Sequence, residues 1–96
     1  MVTTDVLKSQ RTDILRLASQ YGATHVRVFG SLARGEAGPS SDIDFLVQME
    51  RGRSLLDLIE LSQELESVLQ RKVDILTDDG LSPYLKEHIQ AEAIPL

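Results

Sequence analysis

Asp42 and Asp44, two positions apart, are the pair best placed to do chemistry in this 96-residue chain. In an extended strand such residues share one face, while Ile43, Phe45 and Val47 turn to the other and form the core side. Two carboxylates held side by side repel each other unless a cation sits between them. Upstream, Gly30-Ser31 follows an alternating, β-branched segment. A glycine closing a buried strand permits close approach of backbone to ligand. The amides after it and the Ser31 hydroxyl can hold a phosphate at the start of a short helical turn. Arg34 lies one turn further on, within reach of the same phosphate. Each half alone has a bland explanation: a turn aspartate with a solvated neighbour, and an ordinary Gly-Ser turn.

Composition narrows the choice of cation. The chain has no cysteine and two scattered histidines. Disulfides and thiolate metal sites are excluded, which leaves Asp and Glu as the ligand set. Oxygen ligands favour a hard cation such as Mg²⁺ over zinc. The formal net charge of −5 argues against direct nucleic-acid binding, which needs clustered Lys and Arg. An apolar fraction of 42% and a charged fraction of 26% are those of an ordinary soluble globular protein. The length predicts a single domain over residues 1–96 with a modest core. No apolar run approaches ~18 residues and no apolar stretch opens the N-terminus. Neither a membrane span nor a secretory signal is expected, and the cytoplasm is the default location.

The elements that must position these residues follow from periodicity and punctuation. Residues 5–21 have helical spacing (Leu7, Ile14, Leu17, Ala18, Tyr21), with Thr3 or Thr4 as cap, Asp5 at the positive end of the dipole and Gly22 as stop. Residues 25–29 form a strand that runs into Gly30-Ser31. Residues 31–36 can make a short helical turn, and residues 35–41 a loop punctuated by Gly38-Pro39. Residues 42–48 are a second strand. After a turn at Arg51-Gly52-Arg53, Ser54 caps a helix over roughly 55–70, with Asp57 as the reciprocal acid. Leu55, Leu58, Ile59, Leu65 and Leu69 supply its apolar stripe. Residues 72–77 are a third strand and Asp78-Asp79-Gly80 a turn. Ser82-Pro83 opens a last helix that ends near Ala91. The order α-β-(α)-β-α-β-α predicts an α+β fold, a small mixed sheet with helices packed on one face. The link between the first two strands is too tight for a full parallel crossover, so at least one antiparallel pair is expected.

Spacing joins the two chemical halves. Ten residues separate Ser31 from Asp42, giving Gly-Ser-x₁₀-Asp-x-Asp. Val28-Phe29-Gly30-Ser31-Leu32-Ala33-Arg34-Gly35-Glu36-Ala37, followed by Ser41-Asp42-Ile43-Asp44-Phe45-Leu46-Val47, resembles the nucleotidyltransferase superfamily that includes DNA polymerase β and the aminoglycoside nucleotidyltransferases. It is most similar to the minimal nucleotidyltransferase family, which includes the MntA antitoxins encoded beside HepT toxins. The resemblance is tight over residues 25–50 and extends to the order of elements along the whole chain.

That resemblance implies a nucleotidyltransferase fold and a third carboxylate on a neighbouring strand. Asp74 is the candidate, because it lies in Lys72-Val73-Asp74-Ile75-Leu76. A charge among such neighbours is costly if turned to the core, so it should share the face of Asp42 and Asp44. Asp78 and Asp79 are rivals that a turn explains better. The family further implies two Mg²⁺ ions held by Asp42, Asp44 and Asp74, with Asp74 also accepting or orienting the proton of an acceptor hydroxyl. Gly30, Ser31 and Arg34 would hold the triphosphate of ATP, and pyrophosphate would leave.

By the same resemblance, the chain would be an antitoxin that transfers AMP from ATP onto a tyrosine of a HepT-type toxin partner, within a hetero-oligomer. Nearly all of its length goes to the nucleotide-binding module, so the acceptor is expected from another protein. The acidic charge suits a basic partner. Two other readings stand: an antitoxin that occludes its partner with an inactive site, and the catalytic subunit of a small-molecule nucleotidyltransferase. The presence of Gly30, Ser31, Asp42, Asp44 and Asp74 together speaks against the first. His25 reads as a surface residue at a strand start, and His88 as a helix-face residue. Arg51 and Arg53 read as solvated or partner-facing, Tyr84 as packing, and Glu36 as an ion-pair partner of Arg34.

Overall fold

Two connections decide the character of the sheet. From β1 (Ala23–Phe29) to β2 (Ile43–Met49) the described residues hold turns and no helix, and these strands pair antiparallel. From β2 to β3 (Val73–Thr77) runs the helix Leu55–Leu69, and that pair is parallel. These assignments come from a computed structural model that describes residues 4–36, 38 and 41–96, with side chains from Leu7 onward. The expected caps Thr3 and Thr4, the dipole partner Asp5, and Pro39 of the loop lie outside the described residues or side chains. The helices are α1 (Thr4–Ser9), α2 (Arg11–Gln20), α3 (Leu55–Leu69) and α4 (Pro83–Glu92). A short fourth strand, β4 (Ile94–Pro95), pairs antiparallel with β1 and completes a sheet of order β3-β2-β1-β4.

The core lies on one face of this sheet. Alternate residues of β2 (Ile43, Phe45, Val47) meet Val28 of β1 and Val73 and Ile75 of β3. Ile14 and Ala18 of α2 and Leu61, Leu65 and Leu69 of α3, each set at four-residue spacing, pack onto them. Phe45 is wholly enclosed at 0% exposure, and burial of such a side chain contributes ~1.5–3 kcal/mol. The opposite face buries Leu46 and Phe29, which stand outside that cluster. There Arg27, level with Leu46, grips the buried Asp78 with both terminal nitrogens at 2.6 and 3.3 Å. Gln90 of α4 donates to the same carboxylate at 3.0 Å.

Several expectations need correcting. The first helix is two helices that meet at Gln10, whose φ of −108° and ψ of 12° leave the helical range. No residue type at positions 8–11 marks that break. In α3 the stripe begins later than read: Leu55 (70% exposed) and Ile59 (44%) lie outside, and Leu61 takes the core position. In its first turn Leu58, partly buried, packs against the core as expected. Tyr84 is not a packing residue but 85% exposed. The reciprocal cap of α3 is present, with the Ser54 N–H donating to Asp57 Oδ2 at 3.0 Å. Ser82 caps α4 through the Leu85 N–H at 3.3 Å.

Candidate active site

Topology converges the chemical residues. Antiparallel pairing sets the end of β1 beside the start of β2, and parallel pairing sets the start of β3 beside it too. Phe29 pairs with Asp44, and Asp44 with Asp74. Residues level on neighbouring strands project to the same face. Asp44 and Asp74 therefore stand side by side at one end of the sheet, with Gly30, the residue after Phe29, directly against Asp44 and Asp42 just before β2. Asp42 and Asp74 are exposed and Asp44 is half-buried. Burial first, then the charges of Asp74 and Asp42, push the Asp44 carboxyl above its usual range, while Arg34 acts the other way. Among the described residues none of the three carboxylates has a hydrogen-bond or salt-bridge partner. Asp13, Asp57 and Asp78 each have an arginine.

Gly30 is required here for two separate reasons. Its φ of +76° lies in the left-handed region, and a Cβ at this position would overlap Asp44 Oδ2. The backbone then turns tightly: the Arg34 N–H donates to the Gly30 carbonyl at 3.1 Å and the Glu36 N–H to the Ser31 carbonyl at 2.8 Å. Leu32, 3% exposed, anchors the turn in the core. The Ser31 hydroxyl has no partner among the described residues.

One residue of this site escaped the sequence reading. Glu92, the last residue of α4, accepts from the Gly30 N–H at 2.9 Å and from Arg34 Nη1 at 2.7 Å. Arg34 Nε donates to Glu36 at 2.8 Å, the ion pair expected for Glu36. The Arg34 guanidinium, then the Gly30 amide, hold the Glu92 carboxyl below the usual carboxylate range. The cause is register: Ile94 pairs with Val28, so Glu92 falls level with Gly30. An Ile-Pro pair carries no periodicity that could have announced β4.

Among the described residues no three Asp, Glu or His side chains converge into a ready metal cage. Asp78 is occupied structurally by Arg27, and Asp79 is exposed on the 3₁₀ turn Asp78–Gly80. His25 sits exposed at a bulge of β1 with φ of +52°, and His88 is exposed on α4. Arg53 pairs with Glu50 and Asp57. None of these reaches the Gly30–Asp44–Asp74 row.

Comparison with known proteins identifies the family. Residues 8–96 match the family described as nucleotidyltransferase domain. A Methanocaldococcus jannaschii chain whose assigned name is protein adenylyltransferase MJ0435 is 44% identical over 81 residues, covering 84% of this chain and 87% of its own. Protein adenylyltransferase MntA of Thermococcus cleftensis is 37% identical over 78 residues, covering 81% of this chain and 79% of its own. The solved structure of a minimal nucleotidyltransferase superposes with a TM-score of 0.89 at 47% identity, over 99% of this chain and 97% of that one. The row of carboxylates beside a glycine turn thus lies in a chain that belongs to the nucleotidyltransferase domain family.

Proposed function

We propose that this protein transfers AMP from ATP onto a tyrosine of a HepT-type toxin partner and so silences it, working in a hetero-oligomeric complex. The observation that carries this is the row Gly30–Asp44–Asp74. Among the described residues these carboxylates stand in register with no salt-bridge partner, directly against a glycine turn whose Ser31 hydroxyl has no hydrogen-bond partner. Such a site is destabilised until positive charge arrives. The relatives named as protein adenylyltransferases favour a protein as acceptor.

The donor set suits Mg²⁺. This ion keeps several waters and takes one or two carboxylates plus substrate phosphates, so a preformed three-carboxylate cage is not needed. Asp42 and Asp44 would hold one ion, and Asp44 with Asp74 a second. When bound, Mg²⁺ supplies charge neutralisation for the triphosphate and for the departing pyrophosphate. The chain's own residues do the rest. The Ser31 hydroxyl and the amides of the turn hold the terminal phosphates, with Arg34 beside them. Asp74, exposed at the outer end of the row, takes the proton of the tyrosine hydroxyl. The phenolic oxygen bonds to the α-phosphorus, the bond from that phosphorus to the oxygen bridging to the β-phosphorus breaks, and pyrophosphate departs. Positioning and electrostatics suffice for this step.

The test is to incubate the protein with its genetic neighbour, Mg²⁺ and each NTP, and to weigh the neighbour by mass spectrometry. A gain in steps of AMP, lost in Asp42→Ala/Asp44→Ala, is expected. No gain, with protection from toxicity intact in both forms, would establish occlusion instead. Asp74→Ala should abolish transfer while leaving much of the nucleotide affinity.

A further inference from the structure

We propose that Glu92 is an internal competitor for the nucleotide: its carboxylate fills the anion position of the Gly30–Arg34 turn, and a phosphate of ATP binds by displacing the end of α4. The inference rests on the nucleotidyltransferase reading of this site and adds a regulation to it. The Gly30 N–H, at 2.9 Å, and Arg34 Nη1, at 2.7 Å, are both spent on this one carboxylate. An amide has a single proton to donate. Carboxylate and phosphate oxygens accept from amide and guanidinium in the same way, so either can fill the position and both cannot.

The arm that carries Glu92 is lightly held. No residue of α4 is buried, and Tyr84 and Leu85 are exposed. Its anchors among the described residues are the Gln90–Asp78 bond at 3.0 Å, the two-residue pairing of β4 with β1, and Leu96, which packs on the core, donates its N–H to the Val26 carbonyl at 3.0 Å and accepts from Arg11 Nε at 3.0 Å. A segment with few buried contacts opens at low free energy. The apparent dissociation constant is then the intrinsic one divided by the fraction of molecules in which Glu92 has left.

The experiment is calorimetric titration of the intact protein with Mg²⁺ and ATP, comparing wild type, Glu92→Gln and Glu36→Gln, each checked for folding by thermal melting. Glu92→Gln should bind about five- to tenfold tighter, the scale set by a partly exposed ion pair with one amide bond. Glu36→Gln also removes a partner of Arg34 but leaves Gly30 covered, and should change affinity less than about twofold. Hydrogen exchange across residues 83–92 of the wild type should speed up when nucleotide is added. Equal or weaker binding by a folded Glu92→Gln, or unchanged exchange, overturns the inference and leaves the site's reading standing. Absence of nucleotide binding in every variant overturns both. Should Glu92→Gln fail to fold, Glu92→Asp, too short to span Gly30 and Arg34 together, must still bind tighter than wild type or the idea is refuted.

Discussion

Gly30→Ala separates conformational cost from contact with Asp44. At φ +76° an alanine is in the left-handed region, which costs ~1–2 kcal/mol. Its methyl group would also overlap Asp44 Oδ2, so the carboxylate or the turn must move. Gly52 is the natural control, because its φ is +90° and a Cβ there meets nothing within 4 Å. Gly52→Ala should lower the melting point by about 4–8 °C, the equivalent of ~1 kcal/mol in a domain of this size, and leave transfer alone. Gly30→Ala should lose at least as much stability. It should also slow AMP transfer by ~10²-fold, the scale of a 1 Å misplacement at a reacting centre. The assays are thermal melts and initial rates of AMP incorporation into the partner at saturating Mg²⁺. If the two alanine variants transfer at similar rates, Gly30 serves only the backbone and the contact with Asp44 does not matter to the reaction.

Breaking the buried pair with Arg27→Met should cost ~3–5 kcal/mol in urea unfolding, since the buried Asp78 charge keeps the Gln90 bond but loses its counter-charge; adding Asp78→Asn should recover part of that loss. Arg27, with Gln90 and Gln48 adding, lowers the Asp78 carboxyl from 3.8 to about 2. Its contribution, ~1–2 kcal/mol, is therefore present above pH 3.8 and lost as pH falls towards 2, so wild type and Asp78→Asn should converge in stability across that window. Asp44 has the opposite sign, because its folded-state carboxyl is raised. The metal-free fold is then penalised as pH rises through that raised value, and Asp44→Asn should melt higher than wild type at pH 7 while losing transfer at least ~10²-fold.

What the sequence disclosed follows from which forces are local. The alternation Asp42-Ile43-Asp44-Phe45 assigns faces unaided, and the β2–β3 register then put Asp74 level with Asp44, where its apolar neighbours demanded an outward carboxylate. The antiparallel pair was legible from the short link between β1 and β2. Glu92 was not legible, because its place depends on a two-residue strand pairing across the sheet. The break at Gln10 and the outward turn of Leu55 and Ile59 were hidden for a related reason. Periodicity says that a helix has an apolar face, but not how far the sheet beneath it extends.

The mixed sheet is itself what makes the site possible. In an all-antiparallel meander the starts of β2 and β3 would lie at opposite ends, and Asp44 and Asp74 would be separated by the length of a strand. In an all-parallel sheet the turn after β1 would lie far from the start of β2, and Gly30 could not touch Asp44. One antiparallel and one parallel pairing bring a strand end and two strand starts together. The antiparallel β4 brings in Glu92, two residues before it, which is how Glu92 comes to face Gly30. The glycine turn, the carboxylates beside it and the Glu92 side chain bound to the turn are thus set by register alone. A one-residue slip of β3 would turn Asp74 toward the core and dismantle the row without altering a single functional residue.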